Sequence, residues 1–240
     1  MIYKRTGTVS ASMCDPKTKL SPLSAFQLVE DAVTELMGDL HIDGLTAMRE
    51  YGAMWVFVKN IIHIYHRPEW RDTYELRSFI SGHSAAKLLI DTEIVTTDGL
   101  PIVHSRLELC ALDLQSGSIR KASTVGVQPD TPTETPLPDL KFRRFPKDGL
   151  TSLETVTVRA TNLDYCSHTN NVEYVRFLLN TYSAKHLLDN EIEQIEIHYG
   201  QQTFEGDSLQ ISKSCTETSD LFAIHSDKGP AVECRIDWKA

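Results

Sequence analysis

The segment Asn162-Leu163-Asp164-Tyr165-Cys166-Ser167-His168-Thr169-Asn170-Asn171-Val172-Glu173-Tyr174 sets a carboxylate, a thiol and an imidazole at alternate positions, followed by two amides. In an extended loop, that alternation turns Asp164, Cys166 and His168 to one side. If the loop runs straight into a helix, the same side lies near free backbone donors and the positive end of a helix dipole, which stabilise a developing oxyanion. Hydrolysis of a thioester asks for little more: a polarised carbonyl, an activated water and a thiolate leaving group. A second reading rests on the same residues. Asp and Asn ahead of a helix are commonly caps and turn formers, and a single histidine is commonly structural or exposed.

These residues need a helix behind them and a sheet to hold it. A helix is expected over 171–188, after a strand at 156–160 and before strands at 194–199, 208–215, 221–225 and 232–238. The first half has the same order of elements. A strand at 2–11 precedes a helix from Ser21-Pro22 to Met37, with Ser21 as N-cap, Pro22 in the first turn and Gly38 as the stop. Ala25, Leu28, Val29, Ala32 and Leu36 recur at three- and four-residue spacing and give this helix a buried face. Strands are expected at 54–64, 73–81, 87–96 and 102–113, with turns at Asp98-Gly99 and Ser116-Gly117. Setting Asp15 against Asp164 aligns Ser21 with Asn170, Leu23 with Val172 and Phe26 with Val175, so both candidate caps coincide. The pattern is an antiparallel sheet wrapped around a helix, twice over, as an old duplication would leave. Lys17 and Lys19 stand against Cys166 and His168, so chemistry is expected in the second half alone.

Between the halves, Pro129 to Pro146 reads PDTPTETPLPDLKFRRFP, with five prolines and no helical or strand period. Such a stretch should be extended and run over the surface. The expected division is therefore 1–128, a linker at 129–146, and 147–240. Lys141, Arg143, Arg144 and Lys147 interleave there with Phe142 and Phe145. They could form a basic patch for an acidic partner; the favoured reading pins the two rings and leaves the charges in water.

Composition excludes several classes. At 240 residues, with 41% hydrophobic and 24% charged side chains, the chain reads as an ordinary soluble protein. A formal charge of −9 argues against nucleic acid as a partner. The start of the chain lacks the apolar core of a secretory signal, and no run approaches the ~18 apolar residues of a membrane span. A cytoplasmic protein without a membrane partner is expected. Five scattered cysteines, none in a Cys-x-x-Cys pair, suggest free thiols in a reducing compartment. His63 and His66 are the only close pair among nine histidines, and no metal site or cofactor is expected.

The segment from Asp164 to Tyr174 resembles the hallmark of acyl-acyl-carrier-protein thioesterases, D-x-N-x-H-x-N-N-x-x-Y, matching at Asp164, His168, Asn170, Asn171 and Tyr174. Trp55-Val56 and Arg67-Pro68-Glu69-Trp70-Arg71-Asp72 resemble the same family's W-V … Y-P-x-W-G-[DE] pattern, and 12–28 and 199–207 follow its layout. The resemblance implies an α+β fold, a tandem or double hotdog in which each antiparallel sheet wraps a long central helix. It places catalysis in the C-terminal unit and acyl-chain binding largely in the N-terminal one. It puts Asp164 and His168 in the catalytic set, with the positions held here by Cys166 and by Gln202, the last residue of a Y-x-x-E stretch that reads Tyr199-Gly200-Gln201-Gln202. Asn170, Asn171, Trp55 and Phe26 become candidate substrate-binding residues. Phe26, Val29, Trp55 and Phe57 are candidates to line an acyl tunnel, although plain core packing accounts for each as well or better.

Two departures fall inside this set. The family's usual Asn is Cys166, which loses a strong donor and acceptor, and its usual Glu is Gln202, which removes a base. Asp164 and His168 remain as one acid–base pair, so activation of water is the preferred route. Cys166 as nucleophile comes second: a thiolate beside an imidazole is reactive, but buried cysteines are commonly inert. The implied reaction converts fatty acyl-acyl carrier protein to free fatty acid and carrier thiol, ending fatty acid synthesis. The alternatives are an acyl-coenzyme A thioesterase, or a weakened hotdog that binds acyl chains or carrier protein. Acyl carrier protein is the implied partner, and a monomer or homodimer the implied assembly.

Overall fold

The structure, a computed structural model, describes residues 1–138, 140–146 and 148–239. It separates into two compact units, Met1–Lys141 and Phe142–Ala240. The first holds β1 (Ile2–Thr8), α1 (Pro22–Asp39), α2 (Gly44–Tyr51), β2 (Ala53–Ile64), β3 (Thr73–His83), β4 (Leu88–Thr96), β5 (Pro101–Asp113) and β6 (Ile119–Arg120). Its strands pair antiparallel in the order β1-β3-β4-β5-β2, with β6 added to β5. The second holds β7 (Thr151–Thr157), α3 (Asn171–Leu179), α4 (Ala184–Asp189), β8 (Ile192–Tyr199), β9 (Ser208–Cys215), β10 (Ser219–Ser226) and β11 (Gly229–Trp238). Its order, β7-β9-β10-β11-β8, follows the same path with the same antiparallel pairing. Each unit is a hotdog.

In the first unit α1 is the filling. Ser21 Oγ accepts the N–H of Ser24, Pro22 opens the helix, and Ala25, Phe26, Val29, Ala32, Val33 and Leu36 form its buried face. Val33, Leu36 and Met37 pack against Ile80, Leu88, Ile90, Leu107 and Leu109 of the sheet. Gly38 does not end the helix as expected. The left-handed residue is His41 (φ 56°), and the N–H groups of Ile42 and His41 bond the carbonyls of Met37 (2.9 Å) and Gly38 (3.0 Å). That paired closure satisfies the last free carbonyls beyond Gly38. The short α2 was not expected; Asp43 caps it by accepting from Leu45 and Thr46, and Gly52 ends it at φ 59°.

The helix expected over 171–188 is broken. α3 stops at Leu179 and α4 starts after Ser183, whose Oγ accepts the N–H of His186 at 3.1 Å. Thr181 Oγ1 donates to the carbonyl of Leu178 at 2.8 Å, the local competition that short polar side chains offer to helix bonding. Tyr182 then reaches Asp220 with its hydroxyl at 2.5 Å, and Trp238 Nε1 and Lys213 Nζ reach the same carboxylate oxygen at 3.1 Å.

The proline-rich stretch is anchored rather than loose. On β4, fully buried Asp91 takes two bonds from Arg106 of β5 (2.8 and 2.7 Å), one from Ser81 (2.7 Å) and one from the N–H of Leu137 (2.8 Å). Arg106 also donates to the carbonyls of Leu137 (3.0 Å) and Leu140 (2.6 Å), and both leucines are buried. The chain up to Lys141 thus packs with the first unit. Beyond it, Arg143 corrects the expectation of a solvated basic run. Its N–H and Nε donate to buried Glu196 at 2.7 and 2.8 Å, and Nη2 pairs with Asp237 at 2.9 Å. Phe145 stacks on His198 at 4.4 Å, so the rings are indeed pinned. Lys141 and Arg144 are exposed, and Lys147 lies outside the described residues.

Candidate active site

Residues 163–169 form a tight turn, not the extended loop that alternation suggested. Leu163 and Thr169 bridge antiparallel, Asp164 N–H bonds His168 O at 2.8 Å, and Ser167, left-handed at φ 62°, bonds Asp164 O at 3.0 Å. Asp164 Oδ1 closes the turn by accepting from the backbone N–H groups of Cys166 (2.8 Å) and His168 (3.1 Å). The first unit repeats the motif. Cys14 and Leu20 bridge, Asp15 bonds Lys19 O at 2.9 Å, Thr18 is left-handed at φ 60°, and Asp15 Oδ1 accepts from Lys17 at 2.9 Å. The alignment of Asp15 with Asp164 is therefore a structural equivalence. Its consequence is chemical: the aspartate builds this turn even where no imidazole follows.

The helix start is held in layers. Asn170 caps α3, its Oδ1 accepting the N–H of Val172 at 2.9 Å, so this candidate substrate ligand already has a structural task. Asn171 is the first helical residue. Asn162 receives Arg159 N–H on Oδ1 and donates Nδ2 to Glu173, both at 2.8 Å. Below, Thr169, Thr203 and Tyr174 are all buried; their hydroxyls meet at Thr203 Oγ1, at 2.6 Å from Thr169 and 2.7 Å from Tyr174. Thr169 N–H also bonds Thr203 O at 2.9 Å. This cluster ties the helix start to the connection between β8 and β9 that carries Gln202. Sequence reasoning missed Thr169 and Thr203, and the signal was indirect: a buried phenol such as that of Tyr174 requires a partner.

The first unit identifies the residues equivalent to Gln202 and Phe204. The bond from Leu20 N–H to Pro68 O (2.8 Å) matches that from Thr169 to Thr203, which sets Arg67 against Gln202 and Glu69 against Phe204. Arg67 pairs with Asp15 Oδ2 and donates to Leu20 O at 3.3 Å. Gln202 itself is exposed.

His168 is half-buried, and its ring meets that of Phe204 at 5.0 Å and 72°. Burial first, and then the charge of Asp164, push the Cys166 thiol above the ordinary 9.0. It is protonated at neutral pH, which weighs against a cysteine nucleophile. In the first unit, Phe26 is fully buried in the core, and Trp55 donates its indole N–H to Ile42 O at 2.7 Å while packing on the core beside Phe57. A concavity lined by Lys4, Arg5, Arg77 and Glu93 lies on β1, β3 and β4 and contains none of the candidate residues. Among the described residues no three histidine, cysteine or acidic side chains group as metal ligands. None of the described helices is long and apolar enough to cross a membrane.

Residues 147–240 match the family model described as the acyl-ACP thioesterase C-terminal domain. The C-terminal unit belongs to the acyl-ACP thioesterase family. The chemistry of that family is thioester hydrolysis, and the turn of Asp164 and His168 lies within the matched residues. Solved structures share the fold over the whole chain. An acyl-ACP thioesterase from Bacteroides thetaiotaomicron superposes with a TM-score of 0.91 at 14% identity, covering 99% of this chain and 98% of its own. A 12:0-ACP thioesterase from Umbellularia californica gives 0.86 at 15% identity, covering 99% and 97%. No curated protein sequence matches the chain.

Proposed function

We propose that the protein hydrolyses fatty acyl-acyl carrier protein, releasing free fatty acid and the carrier thiol and so ending chain elongation. The observation that carries the reading is the placement of His168 on a rigid turn at the start of α3, inside the unit that matches the thioesterase family. His168 takes a proton from water as the water oxygen bonds the thioester carbon. The carbonyl electron pair moves onto oxygen, where the backbone N–H of Asn171 at the start of α3, aided by the Gln202 amide, stabilises it. The intermediate collapses, the C–S bond breaks, and the sulfur leaves with the proton that His168 returns. One water and one thioester give one acid and one thiol. Asp164 serves this scheme through the turn it closes.

Cys166 and Gln202, standing where the family usually carries Asn and Glu, favour a second reading: an acyl or carrier-protein binder with little turnover. Thiol release from a panel of acyl-carrier-protein and acyl-coenzyme A thioesters separates the two. Fast release from the carrier-protein substrates supports the proposal. Equal or faster release from coenzyme A esters moves the substrate assignment, and binding without release from any of them rejects hydrolysis.

A further inference from the structure

We infer that Phe204 is a positioning residue for His168. The inference rests on the reading of His168 given above. The Phe204 ring meets the His168 ring at 5.0 Å in a T-shaped contact, yet the residue is 40% exposed and contributes little to the core. It is nonetheless gripped. Asp207 Oδ2 accepts the Phe204 N–H at 3.0 Å, and the Asp207 N–H bonds the Phe204 carbonyl at 3.0 Å. Lys228 Nζ lies 4.7 Å from the ring centroid and holds both Asp207 oxygens at 3.0 Å. An exposed ring fixed through its backbone and by a cation over its face is built to present its surface to a neighbour, and the neighbour is His168.

The duplicated unit shows the alternative. There Lys19 and Glu69 hold the equivalent places, and their backbones are paired in an isolated β-bridge, so a cationic and an acidic residue stand opposite each other in register. The second unit has an imidazole opposite a hydrocarbon ring. A carboxylate at 204 would hold the imidazole in its protonated form, which no longer accepts a proton from water. The other charged or titratable groups about His168 are accounted for. Asp164 gives Oδ1 to the amides of the turn, Cys166 keeps its thiol proton, Asp207 and Lys228 pair with each other, and Gln202 is uncharged. Contact orients the ring.

The test is the pH dependence of kcat and KM for the full chain and its Phe204 variants, on whichever thioester it turns over, with His168→Ala as control. Phe204→Ala should lower kcat by ~10-fold with KM within ~3-fold, the cost of a misoriented base. Phe204→Tyr should restore the rate to within ~2-fold. Phe204→Glu should move the acid limb of the profile to higher pH, and the His168 imidazole NMR signals should titrate at correspondingly higher pH without any turnover. Unchanged rates in Phe204→Ala together with an unmoved acid limb and NMR titration in Phe204→Glu would overturn the inference while leaving the proposed function intact. Full activity in His168→Ala would instead remove the reading on which it rests.

Discussion

Asp164 spends one carboxylate oxygen on the amides of Cys166 and His168, as Asp15 does for Lys17 in a turn that carries no imidazole. It closes the turn that carries His168, and the side-chain oxygen of asparagine can accept the same bonds. Asp164→Asn should therefore keep kcat within ~10-fold of the parent, while Asp164→Ala, which opens the turn, should lose ~100-fold or more. Equal collapse in both variants would show that the negative charge itself takes part in the chemistry. That Asp164 and Asn170 shape the entry to a helix was legible in the sequence, because Asp and Asn before a helix have few roles. Which role each plays was not. The turn-closing bonds of Asp164 depend on the backbone of residues 166 and 168, and Thr203 was hidden because its partners, Thr169 and Tyr174, lie across the unit on the helix-start segment and α3.

Among the elements, strands were the most legible. Alternation and turn residues placed the strands of both sheets except two-residue β6 and β7, which runs Thr151–Thr157 and overlaps its expected 156–160 at two residues only, and β9 matched its expected bounds of 208–215. Elements decided by distant contacts were not. The break after Leu179 follows from polar side chains competing for the backbone and from Tyr182 reaching Asp220, a residue of β10. The proline-rich stretch was legible as a connection, but its anchorage depends on Asp91, Arg106 and Glu196, which belong to strands. Burial acts to raise the Glu196 carboxyl, but the bonds from His198 and Arg143 outweigh it and hold it below its ordinary 4.5. A depressed carboxylate contributes stability above its unfolded value and loses it as pH falls through the folded one. Arg143→Ala should destabilise the C-terminal unit at pH 7 by about 2 kcal/mol, a modest figure because Arg143 is partly exposed and His198 remains. The gap between parent and variant in denaturant melts should narrow below pH 4.5, as Glu196 becomes neutral. A gap that is constant with pH would show that Arg143 acts by packing alone.

The whole molecule carries one sheet path twice and presents the imidazole once. Strand order, turn geometry and helix cap coincide in the two units, yet Lys17, Lys19 and Arg67 occupy the places that Cys166, His168 and Gln202 hold in the second. Duplication was readable from the single alignment of Asp15 on Asp164, because a turn closed by its own side chain constrains spacing more tightly than packing does. The fold persists at 14% identity to the Bacteroides thetaiotaomicron enzyme for a related reason: alternation and turn chemistry specify a sheet without specifying its side chains.

The decisive measurement is single-turnover hydrolysis of a fatty acyl-carrier-protein thioester by the purified full chain and by His168→Ala, followed through the released thiol. The account predicts turnover by the parent and a rate at least ~100-fold lower in the variant, with unchanged melting behaviour. Equal rates in the two, or no release by the parent from any thioester, would contradict it.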